Sequence, residues 1–171
     1  MAAERLLAPT SYLVPNVPYE IAFLGAPGAL RASTGGASGL FLDVRHRFTI
    51  VEVQPERQRP LWGVTTRMYE YRLLDHDFRE LLVYHWQPGD DFLGPDHPHL
   101  HVSASLSAQT SAVDRQSIDL DKIHLATSRV PLAAVVRMLI TESHIAPRRP
   151  DWAETLDRTE QILWDETTPH A

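Results

Sequence analysis

Apolar and polar positions alternate most plainly over residues 40–53, where Leu40, Leu42, Val44, Phe48 and Ile50 take even positions and Asp43, Arg45, Arg47 and Thr49 fall between them. A period of two sends successive side chains to opposite faces, so the stretch predicts a half-buried strand. His46 falls on the apolar side and reads as a core histidine with one hydrogen-bond partner rather than a ligand. Residues 54–60 hold two prolines among alternating charges and read as a connecting loop. A second β-rich run covers 62–74, Asp75-His76-Asp77 turns the chain, and a third run covers 80–86, so 62–86 predicts an antiparallel hairpin. Pro88-Gly89 closes it, and Gly94-Pro95 opens a further strand over 97–103. Residues 103–117 form a polar, serine-rich connection, after which Ile118, Leu120 and Ile123 predict one more short element with Asp119 and Asp121 outward.

The period then changes to that of a helix. Pro131 suits a first helical turn, where its missing N–H would have no partner in any case, and Leu132, Val135, Val136, Leu139 and Ile140 form an apolar stripe. Pro150 plays the same part for a second helix, with Asp151 and Glu154 near its positive end and Trp152, Leu156 and Leu163 on one side. Strands followed by helices predict an α+β fold: a single domain over 40–166 in which an antiparallel sheet is covered on one face by two C-terminal helices, with 167–171 as a tail. Pro9, Pro15, Pro18 and Pro27 interrupt the apolar patches of the first 39 residues, and 31–39 consists mostly of small residues. This region reads as a loosely structured arm with one short extended piece over 19–24.

Composition narrows the classes. A length of 171 residues fits one domain, and 43% apolar with 22% charged residues excludes a largely disordered chain. The absence of cysteine removes disulfides, thiolate metal sites and a cysteine nucleophile. No apolar run reaches the ~18 residues of a spanning helix, so a cytoplasmic protein with no membrane partner is expected. A net charge of −6 argues against broad nucleic-acid binding by phosphate neutralisation. A local basic patch remains open, because Arg45, Arg47, Arg57, Arg59, Arg67, Arg72 and Arg79 crowd the first half. Solvated strand faces are the plainer account of these arginines. Beyond Arg149 the chain turns acidic.

Nine histidines are then the main chemical resource. In Asp96-His97-Pro98-His99-Leu100-His101-Val102, alternation puts His97, His99 and His101 on one face, spaced ~7 Å apart. Neighbouring imidazoles at that spacing can converge on a phosphate or a divalent metal, for which His99 and His101 are the candidate ligands, and imidazole exchanges protons near neutral pH. A second group places Tyr69, Tyr71 and Arg72 on one hairpin arm opposite Tyr84, His85 and Trp86 on the other. Aromatics at this spacing most often pack, but His85 is positioned to face the histidine strand. A third group, His124, Thr127 and Arg129, precedes the Pro131 helix, where free N–H groups favour an anion. The resulting expectation has His85, His99 and His101 as catalytic residues, with Tyr71, Arg72, Tyr84, Trp86, His97, His124, Thr127 and Arg129 holding substrate.

Tyr69-Glu70-Tyr71-Arg72-Leu73, Tyr84-His85-Trp86, Pro98-His99-Leu100-His101-Val102, and His124-Leu125 through Arg129-Val130-Pro131-Leu132 resemble a group of bacterial proteins distantly similar to TumE-like toxins of toxin–antitoxin pairs. The likeness covers roughly residues 62–142. It implies a small α+β domain, a protein partner encoded nearby, a site around His85, His99 and His101, and an activity directed at RNA or nucleotides. His97-Pro98-His99-Leu100-His101-Val102 also looks like the signature of histidine-triad nucleotide hydrolases and transferases, from which it differs at Pro98 and Ser103. The expected function is RNA or nucleotide phosphodiester chemistry at a histidine-rich site. The alternatives are a noncatalytic protein-interaction module and a histidine-triad-like enzyme. Metal storage is disfavoured, since no carboxylate or cysteine stands at a familiar ligand spacing.

Overall fold

The computed structural model describes residues 6–7, 14–23, 25–52, 62–89, 94–103 and 124–167. The loop expected at 54–60, residues 104–117 of the serine-rich connection, the element expected around Ile118, Leu120 and Ile123, and residues 168–171 of the tail lie outside them. Eight strands, β1 Leu6–Leu7, β2 Pro18–Phe23, β3 Gly28–Arg31, β4 Ala37–Glu52, β5 Trp62–Leu74, β6 Glu80–Trp86, β7 His99–Val102 and β8 His124–Ala126, precede the helices α1 Leu132–Thr141 and α2 Trp152–Thr167. Every strand pair is antiparallel, in the order β1-β2-β4-β5-β6-β7-β8, and β3 pairs with β4 beside β2. Both helices cover one face, as the α+β reading expects.

The long strand β4 organises the sheet because its alternation persists over 16 residues. One edge pairs with β3 through residues 37–42 and with β2 through 45–49, while the other runs the length of β5. An irregularity between Arg47 and Phe48 lets β4 keep its pairing on both sides of the break. The hairpin of β5 and β6 forms as its sequence predicts. Its turn is built by Asp75, whose carboxylate accepts the Asp77 and Arg79 N–H groups at 2.8 and 3.0 Å.

Register assigns the two faces. Val44 pairs with Tyr71, Tyr71 with Tyr84, and Tyr69 with Trp86, so these side chains share one face with Leu42 and Leu73. Val135, Leu139 and Ile145 from the helical segment close over them, and Tyr69 and Tyr71 stack at 4.9 Å. The other face carries Asp43, Arg45, Arg47, Glu70, Arg72, Val83, His85, His99 and His101. His46 sits on the helix side, held by the Tyr71 hydroxyl at 2.8 Å and Thr66 Oγ1 at 3.1 Å, two partners where the sequence implied one.

The first 39 residues differ from the expected loose arm. β1, β2 and β3 all belong to the sheet, and the extended piece expected over 19–24 is β2. The prolines mark strand starts rather than interruptions: Pro18 is the first residue of β2, and Pro27 directly precedes β3. Gly28 permits a close approach, since a Cβ there would lie 2.9 Å from the Phe23 ring. α1 starts one residue later than expected, with Pro131 as its cap at φ −70° and ψ 150°. At its other end His144 takes a φ of 53°, which brings the Ile145 N–H to the Leu139 carbonyl at 3.1 Å and returns the chain to the core.

A three-histidine cluster as the candidate functional site

The candidate site grows from two adjacent strands. His85 of β6 and His99 of β7 are direct cross-strand partners, and His101 stands two residues further along β7 on the same face. Their rings lie 5.2 Å apart for His85 and His99, 4.8 Å for His99 and His101, and 6.3 Å for His85 and His101. One nitrogen from each falls within 4.8 Å of the others. The cluster is sunk into the protein: His99 is 1% exposed and His85 7%, while His101 is half-buried. Buried Val83 of β6 shares this face and is the cross-strand partner of His101.

The chemistry of His99 is set by its backbone. Its Nδ1 lies 2.8 Å from the His97 carbonyl oxygen, which can only accept, so Nδ1 carries a proton and Nε2 is the nitrogen turned toward the neighbouring rings. This carbonyl–imidazole arrangement is the one that fixes metal-ligating histidines in orientation and tautomer. Tetrahedral zinc with Zn–N bonds of ~2.0–2.1 Å would need nitrogens roughly 3.3 Å apart, closer than the 4.8 Å within which the ligand atoms lie here. The three residues could hold a metal ion with one imidazole nitrogen each.

His97 does not join the trio. It lies outside β7, exposed at a bend, with its ring 6.0 Å from that of His99. The strand expected over 97–103 begins only at His99, because Pro98 has no N–H to give the ladder. His97 contributes its carbonyl to His99 instead, and His85 from the neighbouring strand takes its place.

The expected substrate contacts divide between the two faces. Tyr71, Tyr84 and Trp86 point to the helix side, opposite the histidines, because they alternate with Arg72, Val83 and His85. Burial holds the Tyr71 and Tyr84 hydroxyls above the ordinary phenol value, and Tyr71 is engaged by His46. Arg129 stacks over the Trp86 ring at 4.2 Å, and Thr127 donates its N–H to the Pro98 carbonyl at 2.9 Å. Tyr71, Tyr84, Trp86 and Arg129 therefore build the core and its rim rather than the histidine site. Arg72 does share the histidine face, but its guanidinium is ringed by Asp43, Glu70 and Glu80, which hold it charged. His124 is the cross-strand partner of His101.

Sequence reasoning missed Glu70, the cross-strand partner of His85 and the nearest carboxylate to the cluster in register. Its alternation with Tyr69 and Tyr71 gave its face, but only the hairpin register places it beside His85. A second group, Asp75, His76 and Asp77, also brings three candidate ligand atoms together. There the Asp75 carboxylate is occupied by two backbone amides and by Arg79, so this is a turn rather than a site. No helix among the described residues is long and apolar enough to cross a membrane. No protein-family model, curated protein or solved structure matches the chain.

Proposed function

We propose that the protein is a metal-dependent hydrolase in which His85, His99 and His101 hold one divalent transition-metal ion, and that it acts on phosphodiester bonds of RNA or nucleotides. One observation carries the reading: ring nitrogens from two paired strands lie within 4.8 Å of one another, with the proton of His99 directed away from the meeting point. The bound ion would supply a water of lowered pKa and polarise a phosphoryl oxygen. Buried His85 and His99 fix the geometry, and half-buried His101 marks the side from which substrate approaches. Glu70 lies next to His85 in register and suits the removal of a proton from the attacking water. Arg45, Arg47 and Arg72 share the face of the cluster and supply cations for a phosphate chain, once their carboxylate partners are exchanged for it. The RNA-directed expectation from the TumE-like resemblance belongs to this same reading, as do a cytoplasmic setting and a partner encoded nearby.

The test is metal titration followed by turnover. Purified protein should take up one zinc or cobalt ion per chain, with a tetrahedral cobalt spectrum, and the zinc-loaded form should cleave an RNA oligonucleotide or bis(p-nitrophenyl) phosphate. His99→Ala and His101→Ala should each weaken metal binding at least about 100-fold and abolish cleavage while the fold persists. Metal uptake unaltered by both substitutions would overturn the site.

A second reading, a noncatalytic interaction module, is favoured by one feature. Among the described residues β8 ends the strand order, and it carries the exposed Leu125, the kind of edge to which a partner strand can add. Metal uptake without turnover on either substrate would select it.

A further inference from the structure

We infer that Trp86, which faces the helix side of the sheet and so points away from the histidine cluster, is a positioning residue for His99, acting through the segment that leads into β7. The effect on metal affinity rests on the metal-centre reading above; the effect on His99 rests on geometry alone. Residues 94–98 run irregularly up to the start of β7 at His99, and three carbonyls in succession there are each held by a different group. The Asp96 carbonyl accepts the Trp86 indole N–H at 3.1 Å, the His97 carbonyl accepts the His99 Nδ1–H at 2.8 Å, and the Pro98 carbonyl accepts the Thr127 N–H at 2.9 Å.

An imidazole can carry its proton on either nitrogen, and the partner that one nitrogen meets decides which. For His99 that partner is the His97 carbonyl, whose direction depends on the peptide units on either side of it. Pro98 has no N–H to anchor its own peptide, although its ring keeps His97 out of the α region. The two neighbouring units are fixed from outside, by Trp86 at Asp96 and by Thr127 at Pro98. Without the indole bond the peptides ahead of Pro98 can turn, and the carbonyl that selects Nδ1 turns with them.

Trp86 is placed to do this. It is 7% exposed, its ring lies 6.1 Å from that of Tyr69, and the Arg129 guanidinium covers it at 4.2 Å, so packing fixes the direction of the indole N–H. Register fixes what it meets: His85 pairs with His99, and one step along β6 brings Trp86 level with Pro98. The dipeptide His85-Trp86 thus serves the cluster from both faces of the sheet. One residue gives an imidazole, and the next holds the segment that orients a second imidazole. Removing an outer partner of a ligating histidine typically costs about 10–100-fold in metal affinity.

Side-chain nitrogen NMR of the isotopically labelled full chain, paired with cobalt titration, tests it. Free of metal and well above the ordinary histidine pKa, wild-type His99 should show the single Nδ1-protonated tautomer. Trp86→Phe keeps an aromatic ring against Tyr69 and Arg129 but removes the N–H; it should give both tautomers and a cobalt affinity about tenfold weaker. Tyr69→Phe removes the hydroxyl that accepts the Val130 N–H, in the same part of the core, and should leave both readouts as in the wild type. Should Trp86→Phe fold poorly, the wild type supplies a second measure, because coupling between two sites is reciprocal: saturating zinc should slow exchange of the Trp86 indole proton about tenfold relative to that of exposed Trp62. The assignment is overturned by wild-type His99 protonated at Nε2, by a single Nδ1 tautomer retained in Trp86→Phe, by an equal change in Tyr69→Phe, or by indole exchange indifferent to bound zinc. If the wild type takes up neither ion, the metal reading of the cluster falls, and the His99 tautomer alone decides the role of Trp86.

Discussion

The two faces of the central strands are made from the same residues in alternation, yet they do different work. On the helix side, Val44, Tyr69, Tyr71 and Trp86 meet Val135 and Leu139, and the polar atoms there answer one another: His46 to Tyr71 and Thr66, and the Val130 N–H to the Tyr69 hydroxyl at 3.1 Å. On the opposite face, arginines and carboxylates pair across the strands until, toward β7, the row ends in three imidazoles that face one another. His46 and His99 show the difference most directly. The first is a histidine whose two nitrogens both reach side-chain oxygens, and the second has one nitrogen fixed by a carbonyl so that the other is turned toward its neighbours. A buried histidine becomes a candidate ligand through what its second nitrogen meets, not through burial alone.

That contrast can be broken by experiment. Leu139→Ala on the helix side should cost about 3 kcal/mol in urea unfolding, because it opens a hole in a contact shared by the helix and the sheet. His101→Ala on the opposite face, at a half-buried position, should cost less than about 1 kcal/mol while removing metal uptake. A reversal, with the histidine face carrying the stability, would mean that the faces have been misjudged.

A smaller effect separates the histidines by pH. Burial holds His46 below its ordinary value near 6.5, so the unfolded chain takes up its proton first. The stability associated with neutral His46 is present above that value and is lost as pH falls toward the depressed folded one. His46→Gln should therefore flatten the decline in unfolding free energy below pH 6.5, measured by urea titration at a series of pH values. An unchanged slope would show that His46 is not the group responsible.

The smallest effect belongs to the exposed ion pairs. Glu20 accepts from Arg47 at 2.6 Å and Arg45 at 3.2 Å, and Arg47 chiefly holds its carboxyl below the ordinary range. All three side chains are well exposed, so Glu20→Gln should change stability by at most ~1 kcal/mol, and by nothing measurable in about 1 M salt. A larger, salt-resistant loss would assign this face a structural role that its exposure argues against.

Much of this was legible from the chain. The alternation in β4, the hairpin about Asp75, the helical stripe behind Pro131, and the shared face of His99 and His101 are local patterns, and all four stand as expected. The early strands were not legible, because β2 and β3 are short and lie against β4, so their signal is the partner rather than their own period. The aromatic residues were assigned to the wrong company for a related reason. Tyr84, His85 and Trp86 are neighbours in sequence, but a strand separates neighbours by the thickness of the sheet.

By itself, then, the sequence determined which residues alternate, where helices replace strands, and that β7 would present imidazoles at spacing two. Tertiary structure alone decided that His85 completes the cluster while His97 is left outside, and that Glu70 stands beside it. The reason is physical: periodicity is set by the backbone geometry of a few consecutive residues, whereas cross-strand register and helix docking are fixed by contacts between residues far apart in the chain, whose combined packing no local pattern encodes.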